Sequence, residues 1–240
     1  MDLTVSPVER TTATTSALLA LLAFVAVIYL TRIQRKSNRL RPSFWLAGLF
    51  LLGLTGLVGS ISHGFKFSGA MVSNDMDKWL DLGPILAAGM FLCGVAHDLH
   101  GPVVARQTLP FIVAIGFVFY LIALQLAVPS ISIAAYQTIA MLPAFIFYSW
   151  LATRFQFDGA GWISLGAVLF ILAAWLRANR QFQPEWVWSF NTDAISNVVC
   201  TLSVLTLAVG LRIYLVPYRK IGRNRIKHFL DCSGNRLHRR

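Results

Sequence analysis

Charge is scarce in this sequence, and negative charge scarcest: ten of 240 residues are Asp or Glu, and all four charged types together make 13%. A soluble domain carries about a quarter charged residues, so an ordinary water-facing globular surface is excluded. Cysteine is scarce too. Cys93 and Cys200 fall inside apolar stretches and Cys232 near the C-terminus, without a C-x-x-C or similar spacing. That excludes a disulfide framework and a thiolate zinc site. The chain also lacks an internal repeat, a soluble linker and any second region of ordinary composition.

What is abundant is apolar. Hydrophobic residues make 56% of the chain and mean hydropathy is +0.63, more apolar surface than a soluble fold of this size hides. Crossing the hydrocarbon core takes about 20 apolar residues as helix, because backbone polar groups find no partner in lipid. Seven windows satisfy this: 16–33, 44–64, 79–98, 108–128, 131–152, 161–177 and 192–216. The fourth and fifth are separated only by Val128-Pro129-Ser130, which predicts a tight antiparallel hairpin. The expected fold class is all-α, a polytopic seven-transmembrane-helix bundle over residues 1–216, followed by a basic tail over 217–240. Asp2 and Glu9 precede a first apolar run too long for a cleaved signal peptide, so that run reads as a retained span.

The net charge of +11 is clustered beside apolar spans and not spread over a polar face, which argues against nucleic acid and for anionic lipid head groups. Lys and Arg favour the cytoplasmic side. With the N-terminus outside, 16 of the 21 fall inside, including Arg32 to Arg41, Arg106, Arg154 and the series from Arg212 onward; Arg10, Lys66, Lys78, Arg177 and Arg180 fall outside. The expected orientation is N-terminus outside, C-terminus cytoplasmic, in a bacterial inner membrane. Ile221, Ile226, Phe229 and Leu230 would let the tail rest an apolar edge on the inner leaflet, where Cys232 is a candidate for acylation. Trp186 and Trp188 in "QPEWVW" read as interfacial anchors.

This topology gathers polar residues into one outer layer. The second span delivers Ser60 and His63 there, the third begins with Asp81, and the seventh enters with Asn191, Asp193 and Asn197. Ionisable groups in a membrane are costly and tend to pair inside the bundle. Ser60 and His63 are i,i+3 and Asp193 and Asn197 i,i+4, so each pair shares a helix face. Gly53, Gly56 and Gly59 form a small-residue edge for close helix packing. Pro84 deprives the carbonyl one turn earlier of its helical donor, opening a place for water or a ligand. Two chemistries follow. One is a polar clamp, with Asp81 or Asp193 accepting from His63. The other is a site in which His63, Asp81, Asp193 and Asn197 ligate a metal such as zinc, or His63 acts as general base, with Ser60 beside it. At the inner end of the third span "AHDLHG" sets His97 and His100 at i,i+3 around Asp98, a spacing that could bind a metal; with no further acidic or histidine partner in nearby loops, interfacial exposure is expected. No bis-histidine pair suits haem.

Those residues resemble a known superfamily. "GSISHGF" is similar to the helix 2 motif, and "WLDLGPI" to the helix 3 motif, of the CREST superfamily of seven-helix membrane proteins, which includes alkaline ceramidases and progestin and adiponectin receptors. The resemblance implies a zinc ion held by a helix 2 histidine, a helix 3 aspartate and two helix 7 histidines, acting on lipid amides. Here "FNTDAISNVV" puts Asp193 and Asn197 where two histidines are expected, and Ser60 stands three residues before His63 where the receptor branch has four. A divergent member is therefore implied. "DAISNVV" and the Trp79-to-Pro84 spacing also resemble microbial rhodopsins, but the Schiff-base lysine is replaced by Asn197 and no lysine lies deep in a span, which excludes covalent retinal and leaves a lysine-free relative. Two functions are thus expected. The first is a non-catalytic structural or accessory subunit of a larger membrane assembly, in contact with other membrane subunits and lipids. The alternative is a metal-dependent lipid amide or ester hydrolase using His63, Asp81 and Ser60.

Overall fold

A computed structural model describes residues 2–3, 6–37, 43–66, 70–125, 129–179 and 191–215. The basic tail, Trp186, Trp188 and most of the link between the fourth and fifth spans lie outside these residues. Seven helices dominate: α1 (Pro7–Ser37), α2 (Ser43–Gly64), α3 (Ala70–His100), α4 (Pro102–Gln125), α5 (Pro129–Phe155), α6 (Ala160–Ala178) and α7 (Thr192–Leu215). Each expected window lies within its helix to within a few residues, and all seven helices are long and apolar enough to cross a membrane. Proline sits inside three of them, at Pro84, Pro110 and Pro143. One element was not expected: Asp2–Leu3 (β1) pairs antiparallel with Phe65–Lys66 (β2), so the N-terminal arm closes over the C-terminal end of α2.

Six helices form a closed ring in the order α1, α2, α3, α5, α6, α7, with α7 returning to α1; α4 stands outside, against α3 and α5. Large side chains of the described residues fill the inside of the ring. Trp45 of α2, Phe91 of α3, Tyr148 of α5 and Phe170 of α6 are fully buried. Their rings meet at 5.5 Å (Trp45–Phe91), 5.9 Å (Trp45–Tyr148) and 5.7 Å (Phe91–Phe170). Edge-on and tilted aromatic pairs add about 0.5–1.5 kcal/mol each beyond their burial. Ile85, Leu49, Leu207 and Leu211 complete the centre.

The α1–α2 seam shows why α2 is rich in glycine. A Cβ on Gly56 would lie 2.8 Å from the Ser16 carbonyl oxygen and 2.9 Å from the Ala20 nitrogen. The two backbones touch there, and only glycine permits it. Gly53 receives the Phe24 ring and Gly59 the Ser16 side chain. The small-residue edge read from the sequence is thus the seam between α1 and α2.

Candidate functional site

The N-terminal ends of α1, α3 and α7 and the C-terminal ends of α2 and α6 share one end of the bundle. Its organising residue is Arg177, in the last turn of α6. Nη2 lies 3.4 Å from Asp81 Oδ1, Nε lies 3.7 Å from Asp193 Oδ1, and Nη1 donates to the Leu80 carbonyl at 3.3 Å. The reason is local. Pro84 has no N–H to offer the carbonyl four residues back, which is that of Leu80, and the guanidinium supplies the missing donor. A planar fork with five N–H groups suits a carboxylate and a neighbouring carbonyl together. The opening expected at Pro84 is closed by an arginine.

Two further links tie α1 to α7 at the same end. Asn191 caps α7 by accepting from the Ala194 N–H at 2.8 Å, the usual N-cap geometry. Its side-chain oxygen also accepts from the Thr12 hydroxyl at 2.9 Å. One turn deeper, Asn197 Nδ2 donates to Ser16 Oγ at 2.8 Å. On the other flank of α7, Ser196 and Ser203 donate to the carbonyls of Ala173 and Gly166 on α6 at 2.9 and 2.7 Å. Such bonds are worth roughly 0.6–2 kcal/mol each between membrane helices.

The expected site residues therefore divide. Asp81 and Asp193 are brought together, through Arg177. Asn197 turns to α1. His63 stands in the last turn of α2, half-buried like Ser60, and neither side chain is hydrogen-bonded among the described residues. The helix packing explains the separation: α1 stands between α2 and α7. Among the described residues no three His, Cys, Asp or Glu side chains converge on a point where a metal would sit.

The opposite end holds a cluster that the sequence reading had placed at an exposed interface. The Asp98 side chain is only 6% exposed. It accepts from the Tyr148 hydroxyl at 2.5 Å and from Trp45 Nε1 at 3.3 Å, and lies 3.2 Å from His97 Nδ1. The His97 ring rests against Phe44, centroids 6.1 Å apart, while His100 is exposed. The signal for this cluster was an acidic residue at the depth of Trp45 and Tyr148, both of which carry a polar tip on a large apolar body.

A model of a family of unknown function, DUF6962, matches residues 11–215. The chain belongs to that family. No curated protein and no solved structure matches it. The DUF6962 match runs from the first turns of α1 to the end of α7, so both polar clusters lie within it and the basic tail lies beyond it.

Proposed function

We propose that the protein is a non-catalytic seven-helix integral membrane protein, set with its N-terminus outside and its basic tail on the cytoplasmic side of a bacterial inner membrane. It works there as a structural or accessory subunit of a larger membrane assembly. The observation that carries this reading is the Arg177 clamp. A guanidinium already occupies the space between Asp81 and Asp193, and a metal would have to displace it, against charge repulsion, to gain those carboxylates. With its polar groups turned inward, the molecule offers partners an apolar flank. The foremost candidate is α4, which leaves Val103, Phe111, Phe117 and Val118 exposed.

The ceramidase-like alternative retains one supporting observation, the His63 imidazole, which has no hydrogen bond among the described residues and shares a helix face with Ser60. The test takes the full chain extracted in mild detergent. The expected result is migration with stoichiometric partner subunits and no turnover of lipid amides or esters, with or without added zinc. A monomer that hydrolyses such lipids and loses that activity in His63→Ala would overturn the reading in favour of the hydrolase.

A further inference from the structure

We propose that His97 and His100, at the C-terminal end of α3, form a binding site for a first-row divalent cation of the copper(II) or zinc type, with Asp98 as its positioning residue. This is independent of the reading above, which concerns the other end of the bundle. In the His97–Asp98 contact Nδ1 faces the carboxylate, whose oxygens act as acceptors, so Nε2 is the ring nitrogen left to coordinate. Among the described residues Nε2 has no partner. Imidazoles that bind metals nearly always give their other N–H to a carboxylate or carbonyl, which fixes the tautomer and raises ligand basicity. Asp98 is held for that role by Tyr148 and Trp45, from two other helices.

Three features favour a cation here. His100 follows at i,i+3, on the same helix face, and is exposed. The helix ends at once: Gly101, with φ of +89°, donates its N–H to the His97 carbonyl at 2.8 Å, so the negative end of the α3 dipole lies at the site. Asp98 has no Lys or Arg partner among the described residues. Two imidazoles with water in the remaining positions suit copper(II) or zinc.

The experiment is a copper(II) titration of the full chain in detergent, followed by electron paramagnetic resonance, which counts the nitrogens on the metal. His228→Ala and His238→Ala are included to remove the tail imidazoles. One copper per chain with two coordinated nitrogens is expected. His97→Gln and His100→Gln should each leave one nitrogen and weaken binding at least tenfold. Asp98→Asn should keep both nitrogens and weaken binding about 10–100-fold, a split that a merely structural role for Asp98 would not give. Should His97→Gln fail to fold, His100→Gln at its exposed position decides the same question. Unchanged binding in the histidine variants, or loss only in His63→Ala, would overturn the site.

Discussion

Arg177 makes three contacts with two other helices, and each exists for a separate reason: a missing N–H at Pro84, a carboxylate on α3 and a carboxylate at the start of α7. The guanidinium is 30% exposed, so solvent screens the ion pairs and their worth is modest. Arg177→Met, which keeps the length and removes the charge, should lower stability in detergent by about 1–2 kcal/mol. The double variant Arg177→Met with Asp81→Asn should be less destabilised than the sum of the two. Additivity in that thermal-unfolding cycle would show that the two residues do not act together. Asp81, Asp193 and Asn197 were legible in the sequence as a polar layer, because depth follows from span order. Their partners were not. Arg177 reads in sequence as one more charge flanking a span, and Ser16 as an ordinary residue of an apolar run. Choosing between His63 and Arg177 required knowing that α1 separates α2 from α7.

Among the elements, α2 shows how composition dictates contact. Gly53, Gly56 and Gly59 face α1, where an added Cβ would lie within 3.2 Å of an α1 atom, and at Gly56 that neighbour is backbone, which cannot swing aside. Gly56→Val should therefore push α1 and α2 apart and cost roughly 1–3 kcal/mol by overpacking. Gly161→Ala on α6, where the new Cβ would find its nearest neighbour 4.0 Å away, should be neutral or slightly stabilising. Equal losses for both variants in thermal unfolding would refute a role for close packing. The helices themselves were largely legible, since an apolar run of spanning length has few other uses. Their ends were less so: α1 and α3 each run to 31 residues, continuing past the apolar windows through Thr-, Ser- and Asp-bearing turns. Periodicity carries no information about how far such turns persist.

The whole molecule is a ring of six helices with a seventh attached, and neither the ring order nor the place of α4 follows from hydropathy, which is nearly the same for every span. Orientation does have a sequence signature, in the distribution of Lys and Arg. In a Cys232→Ser background, new cysteines at Ser6, ahead of α1, and at exposed Asp158, between α5 and α6, report it directly. Impermeant maleimide should label Ser6→Cys in intact cells and Asp158→Cys only in inverted vesicles; the opposite pattern would reverse the topology. Cys93 and Cys200 are buried and should stay silent. The β1–β2 pairing was beyond sequence reading, because two-residue strands carry no periodic pattern.

The Arg177 clamp also has a history within each molecule. Asp81 and its guanidinium are 96 residues apart in the chain, an interval of roughly 5–20 s at ordinary rates of synthesis. Throughout that interval α3 is made and Arg177 is not. A nascent chain that stops before α6 lacks the contacts from Arg177 to the Leu80 carbonyl and the Asp81 carboxylate. The clamp therefore closes only once α7, which carries Asp193, has also been made.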